Sequence, residues 1–148
     1  MKAYLRLLKP NSEKLPPGHR LPTWKAYEPS STDKDDAKKR SGPVRVSVWD
    51  RECTTIPQAK IMAGPAYEVA RSFELTDAAV ADVARSTSRP ELKVVPDPLD
   101  ELVGQPGADG HCGIEGCERP SGERGDVWKD RLQRLAERSR DVSDLPEE

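Results

Sequence analysis

The pattern of apolar and polar positions along the chain predicts a small β-sheet. Its most regular run is residues 44–48, in which three valines fall on one face of a strand and Arg45 and Ser47 on the other. The same criteria predict four further strands, at residues 1–8, 67–73, 92–95 and 111–115, with a helix as the alternative for the segment AYEVARSF. Each run has the length of an ordinary strand. We therefore predict a sheet of four or five strands.

About three helices are predicted between and after these strands. Thr55 is followed by Pro57 and Gln58, which is typical of a capping box with proline in the first turn. Thr76 is expected to cap a second helix, at residues 77–85. A third helix begins near Asp126, and its apolar stripe at helical spacing consists of Trp128, Leu132, Leu135 and Ala136.

The basic side of this third helix is interpreted as a solvated, ion-paired surface. Arg131, Arg134 and Arg138 flank the apolar stripe, and Asp130 precedes Arg134 by four residues, the favourable order for an ion pair. The chain has 24 basic and 26 acidic residues, for a formal net charge of −2. No overall positive field therefore favours nucleic acid, and we expect no nucleic-acid partner.

Residues 9–43 differ in composition from the rest of the chain. They contain six prolines and a run of mixed charges from Asp33 to Arg40. Proline removes a backbone donor and blocks helices, and a charge run with few apolar neighbours gains little by packing. We predict a long proline-rich loop here, in which Trp24 and Tyr27 form one helical turn docked on the core.

Composition indicates the size of the hydrophobic core and the cellular compartment of the protein. The 148 residues fit one domain, but hydrophobic and charged residues are each 34% and the mean hydropathy is −0.79, which favours a single small core. Apolar runs are only a few residues long, so no membrane span is predicted. The odd number of cysteines and the lack of a recognisable secretory leader predict a cytoplasmic protein with free thiols.

Residues 94–120 contain the densest set of chemically capable side chains, including two cysteines and one histidine. On the predicted strand, Cys112 and Ile114 face one way, and His111 faces the other. Cys112 and His111 therefore cannot easily bind one ion or act as a nucleophile and its base. The spacing from Cys112 to Cys117 also differs from the paired C-x2-C of zinc sites. We predict no metal and no cofactor.

His111 is the best catalytic candidate, with Asp97 or Glu115 as its acid partner. Such an acid–base pair would lie in a cleft beside two candidate binding residues, Gly113 and Gly116, because glycine has no side chain to fill the space. The competing interpretation is structural, in which His111 donates a hydrogen bond to a backbone carbonyl and fixes a loop. The chain contains no P-loop, G-x-G-x-x-G, G-x-S-x-G or H-E-x-x-H motif.

The order of the segments VRVSVWD, TTIPQA, LKVVPDPL and HCGIEG, followed by a basic C-terminal helix, resembles a family of uncharacterised small bacterial proteins. Members of that family are similar in having a strand near L-S-V, a V-x-D-P-L segment and an H-A-x-I-x-G motif. The resemblance covers roughly residues 44–139 and implies no activity. It implies that Cys112 and Cys117 are small apolar fillers, and it matches His111, Ile114 and Gly116.

Together these patterns predict an α+β domain at residues 44–139, joined by the strand at residues 1–8 and followed by a tail at residues 140–148. All helices are expected on one face of the sheet. The favoured function is a non-catalytic accessory or interaction module that binds another protein and no membrane. The alternative is a small hydrolase or nucleotide-handling enzyme centred on His111. A cleft with a second convergent titratable group would favour the enzyme, and an exposed apolar patch would favour the module.

Overall fold

The computed structural model describes residues 2–144 and is organised around one antiparallel sheet. Within this range the sheet has six strands in the spatial order β4-β5-β2-β1-β3-β6. The strands are β1 (Ala3–Leu8), β2 (Arg45–Asp50), β3 (Arg71–Thr76), β4 (Lys93–Pro96), β5 (His111–Glu115) and β6 (Arg140–Asp141). The predicted α+β class is confirmed, but the sheet is larger than the four or five strands expected.

Four α-helices connect or follow the strands in the described part of the chain, where about three were predicted. They are α1 (Ser31–Arg40), α2 (Ile56–Ala63), α3 (Asp77–Ser86) and α4 (Gly125–Glu137). The capping box at the start of α2 is confirmed, since the Thr55 side chain accepts from the Gln58 N–H and the Gln58 side chain accepts from the Thr55 N–H. The Thr76 side chain caps α3 by accepting from the Ala79 N–H.

The prediction of a loop throughout residues 9–43 is wrong, because α1 occupies residues 31–40. The Ser30 hydroxyl accepts from the Asp33 N–H, and the Asp33 carboxylate accepts from the Ser30 N–H. This capping box stabilises the first turn of a helix that has no apolar stripe, so periodicity alone does not reveal the helix. The predicted helical turn is present as a 3-10 helix at Trp24–Tyr27, and Ala26 and Tyr27 are buried in the main core.

The sheet has a hydrophobic cluster on each face. The main cluster contains Tyr4 and Leu8 of β1 and is closed by α3, α4 and the turn at Trp24–Tyr27. The second cluster contains Leu5 and Leu7, which alternate with those residues and so face the other way. Ile56 and Ala59 of α2 pack in the second cluster. The expectation that all helices lie on one face is therefore wrong.

Three other boundaries differ from the prediction. Gly64 and Pro65 start a 3-10 turn that contains Tyr67, so the strand expected at residues 67–73 begins only at Arg71. Part of the expected C-terminal tail forms β6, which pairs with β3. The helix predicted to begin at Asp126 starts one residue earlier, and Asp126 lies in its first turn. Residues 145–148 of the tail lie outside the described residues.

The sheet is split between its two central strands. β1 pairs with β3 along its whole length, but it pairs with β2 only at Tyr4–Asp50 and Leu5–Trp49. After Leu5 the two strands are no longer paired, and the Arg6 side chain lies in the gap between them. Its Nε donates to the Ala26 carbonyl at 2.9 Å and its Nη1 to the Ser47 carbonyl at 3.0 Å. The guanidinium thus satisfies a carbonyl that the β1–β2 ladder leaves unpaired.

Candidate active site

The candidate site lies on the face of β2 and β5 that is opposite the main core. Antiparallel pairing sets three residue pairs side by side, which are Trp49–His111, Ser47–Gly113 and Arg45–Glu115. Because Gly113 has no side chain, Arg45 packs across it; a Cβ at Gly113 would lie 2.6 Å from the Arg45 Cβ. Ser47 is thereby left beside His111 on the adjacent strand.

Both ring nitrogens of His111 are hydrogen-bonded. Its Nδ1 lies 2.6 Å from the Asp97 backbone carbonyl oxygen, and its Nε2 lies 2.7 Å from the Ser47 hydroxyl oxygen. Because a carbonyl oxygen only accepts, Nδ1 carries the hydrogen of the neutral imidazole. Nε2 then holds the lone pair and accepts from the Ser47 O–H. This is the tautomer that a histidine needs in order to take a proton from a serine.

Asp97 is held against His111 by the pairing of β4 with β5. Pro96 pairs with Cys112, and the Asp97 N–H donates to the His111 carbonyl at 3.0 Å. The Asp97 Oδ2 lies 3.6 Å from Nδ1 of the imidazole. His111 itself is 5% exposed, and the Trp49 ring meets it in an edge arrangement with 4.6 Å between centroids. The imidazole is therefore fixed on three sides.

Arg45 holds both of the acidic candidates. Its Nε donates to Glu115 at 2.9 Å, and its Nη1 donates to the Asp97 Oδ1 at 3.1 Å. Burial acts to lower the pKa of Arg45, but the hydrogen bonds to the two carboxylates outweigh it and raise this pKa. Of the two acids, Asp97 lies within reach of the imidazole. The Glu115 carboxylate accepts from the Arg45 guanidinium instead.

A cavity of about 200 Å³ opens beside Ser47 and His111. Most of its lining is apolar, with side chains from β1, β2, α2 and the neighbouring turns, namely Leu7, Trp49, Met62, Ala63, Tyr67, Leu99 and Leu102. Arg6 completes the described lining and is its one permanently charged side chain. The cavity has room for a small group, such as a ring or a short acyl chain.

The two glycines predicted to bind a ligand are not among the described residues that line this cavity. Gly113 is buried beneath Arg45. Gly116 has a φ of +91°, and a Cβ there would lie 2.7 Å from the Leu92 Cα. Its conformation and close packing therefore explain the glycine. Gly116 lines a separate open cleft of about 620 Å³, together with Arg89 and other residues of the β4–β5 end of the sheet.

All three cysteines are free thiols, and two of them are buried on the far side of β5 from His111 or beyond its end. Burial raises the pKa of Cys112 to about 11 and that of Cys117 to about 12, so both are protonated at neutral pH. Within residues 2–144, no three His, Cys, Asp or Glu side chains are grouped to hold a metal ion. In the same range no helix has the length and apolar character needed to cross a bilayer.

The sequence alone did not single out Ser47 or Arg6. Alternation assigned Ser47 to the same face as Arg45, but its contact with His111 depends on β2 pairing with β5. Arg6 is a lone charge in the apolar run AYLRLL, which was a signal that the side chain has a specific place inside the fold. Both residues lie where the sheet splits, and the order of strands cannot be read from local patterns.

Comparisons of the chain with protein-family models, curated proteins and solved structures gave no match. The functional assignment therefore rests on the geometry of the site. That geometry is a serine hydroxyl bonded to a buried histidine, with an aspartate behind the imidazole and a small apolar cavity in front.

Proposed function

We propose that the chain is a small hydrolase that works by acyl transfer, with Ser47 as the nucleophile and His111 as its general base. The observation that carries this proposal is the 2.7 Å contact between the Ser47 Oγ and the His111 Nε2, combined with the bond that fixes the hydrogen on Nδ1. Asp97 is the positioning residue, because its carbonyl holds the tautomer and its carboxylate faces the same nitrogen.

The steps follow from this arrangement. The Ser47 Oγ attacks the carbonyl carbon of an ester, and its proton passes to Nε2. The imidazolium then donates from Nδ1 to Asp97, whose carbonyl and carboxylate stabilise the positive charge. When the tetrahedral intermediate collapses, the bond to the alcohol breaks and the alcohol takes the proton from Nε2. Water attacks the acyl group on Ser47 by the same route, releases the acid and restores the hydroxyl.

The members of this hydrogen-bonded set come from three separate segments of the sequence. The strand VSV contributes Ser47, the segment VPDPL contributes Asp97, and HCGIEG contributes His111. These segments are far apart along the chain, yet each supplies one member of the hydrogen-bonded set. Among the alternatives from the sequence, this convergence beside a cavity favours a hydrolase centred on His111.

Hydrolysis of 4-nitrophenyl acetate and butyrate by the full chain tests the proposal. Ser47→Ala and His111→Gln should each lower kcat/KM by roughly 10²–10⁴-fold, because each removes one partner of the proton transfer. Ser121→Ala, which changes an exposed serine, is the control and should leave the rate unchanged. Full activity in a folded Ser47→Ala protein would rule out the assignment.

An exposed apolar patch favours a second candidate, the interaction module expected from the sequence. Ile61 is 74% exposed. Ile61 lines a shallow cleft of about 500 Å³ with two prolines, Pro57 and Pro65. Such a patch is typical of a protein-binding surface. Affinity purification from the native host with Ile61→Asp as the comparison tests this candidate, and a partner that both proteins retain equally would count against the patch.

A further inference from the structure

Arg6 brings an unmatched positive charge into the cavity beside Ser47. The residue is only 9% exposed, and its Nε and Nη1 donate to two backbone carbonyls. Among residues 2–144, no carboxylate pairs with this guanidinium and no group accepts a hydrogen bond from its Nη2. Burying a charge without a counter-ion is costly. The remaining donor is therefore available to a ligand in the cavity.

Two lysines extend this positive charge beyond the cavity. An adjoining pocket of about 340 Å³ shares Leu7 and Tyr67 with the cavity and is lined by Lys9 and Lys14. Burial lowers the pKa of Lys14, and the charge of Arg6 lowers it further. The carboxylates of Asp33 and Glu28 act on this pKa in the opposite direction. The one acid of the pocket, Glu13, pairs with Lys25 at 3.1 Å.

The acids nearest to the proposed nucleophile do not neutralise Arg6. Asp97 and Glu115 are both bound by Arg45 on the other side of the imidazole. Most of the side chains that line the cavity with Arg6 are apolar, and an apolar environment strengthens a charge–charge interaction relative to water. A group that enters this cavity therefore meets a fixed guanidinium with little local compensation.

We propose that the cavity binds substrates that carry an anionic oxygen group, a carboxylate or a phosphate, on Arg6. A guanidinium presents planar donors that match either group, and these hydrogen bonds are strengthened by charge. The reaction at Ser47 rests on the hydrolase function proposed above, but anion binding can be measured without it. The competing role for Arg6 is to fill the gap between β1 and β2, which requires no selectivity for anions.

Calorimetric titration of the full chain with benzoate, phenyl phosphate and benzamide tests the proposal. At least one anion should bind tenfold or more tightly than benzamide, which has nearly the same shape as benzoate and no charge. The preferred anion distinguishes a carboxylate site from a phosphate site. Equal affinity for all three probes, or no binding of either anion, would overturn the proposal.

Three variants test which residues cause the selectivity for anions. Arg6→Met keeps most of the side-chain volume and should abolish the preference for the anion. Lys14→Gln alters a side chain at the edge of the site and should weaken anion binding by about two- to fivefold, which provides a test if Arg6→Met does not fold. Arg20→Gln changes an exposed arginine and should have no effect. Loss of selectivity in Arg20→Gln, or full selectivity in folded Arg6→Met, would contradict the role of Arg6.

A pair of esters separates this inference from the hydrolase function itself. 4-Nitrophenyl butyrate and mono-4-nitrophenyl succinate have acyl chains of similar length, but only the second carries a carboxylate. Selective binding of benzoate or phenyl phosphate without hydrolysis of either ester would support the anion site and refute the hydrolase. Hydrolysis of both esters at the same kcat/KM, with no selective binding, would support the hydrolase and refute the anion site.

Discussion

Among residues 2–144, the largest fully buried side chain belongs to Arg131 in α4. Its Nη1 and Nη2 donate to the two carboxylate oxygens of Glu123 at 3.0 and 2.6 Å, and Arg89 donates to the same carboxylate at 2.9 Å. The helical pattern predicted that Arg131 would lie on a solvated surface, and this prediction is wrong. Periodicity gives the angle of a side chain around its helix, but it does not show that the loop before the helix folds over it.

Removing the charge of Glu123 should be costly at neutral pH. Glu123→Gln leaves Arg131 buried with a neutral partner, so we expect a loss of about 3–5 kcal/mol in the free energy of unfolding. The hydrogen bond from Arg131 is the main cause that lowers the pKa of Glu123, and Arg89 adds to it. A lowered pKa stabilises the fold above the ordinary pKa of glutamate, and this contribution is lost as the pH falls through the lowered value.

The difference between Glu123→Gln and the natural chain should therefore be large at pH 7 and should shrink on acidification below the ordinary pKa of glutamate. Urea denaturation across this range measures it. Asp130→Asn is the control, because it breaks an exposed ion pair with Arg134 and should cost less than about 0.5 kcal/mol. A pH-independent difference would show that the carboxylate charge is not what stabilises Arg131.

At the level of elements, N-cap residues predict the starts of the helices better than composition does. Thr55 and Thr76 marked the starts of α2 and α3, because a side-chain oxygen that accepts an N–H of the first turn is a local signal. Ser30 provides the same kind of cap for α1, but the mixed charges that follow it in the sequence are typical of a loop. In α1 only Ala37 is buried, so the helix gains little from packing and depends on its capping box.

Loss of the cap should open α1 locally. Ser30→Ala removes the hydroxyl that accepts from the Asp33 N–H, which costs about 1 kcal/mol of helix stability. Trypsin should then cleave faster at the basic end of the helix, Lys38–Arg40, while the midpoint of global unfolding changes little. Ser31→Ala alters the neighbouring exposed serine and serves as the control. Equal cleavage rates in the two variants would contradict the role of the capping box.

At the level of the whole molecule, the site exists because of the order of the strands. The sequence predicted the α+β class, the face of β5 that carries His111, and Asp97 as a possible partner. It could not predict that β2 lies next to β5 while β1 diverges from β2, since strand order depends on the packing of the entire chain. That order brings Ser47 to His111 and directs Arg6 into the gap.

The central claim is that His111 activates Ser47, and covalent labelling with an alkyl fluorophosphonate tests it most directly. The Ser47 Oγ attacks phosphorus, fluoride leaves, and the proton passes to the His111 Nε2. The account predicts one phosphonyl group per chain, located on Ser47 by peptide mass spectrometry, absent in Ser47→Ala and formed at least about 100-fold more slowly in His111→Gln. A folded natural chain that is not labelled, or a label that persists in Ser47→Ala, would contradict it.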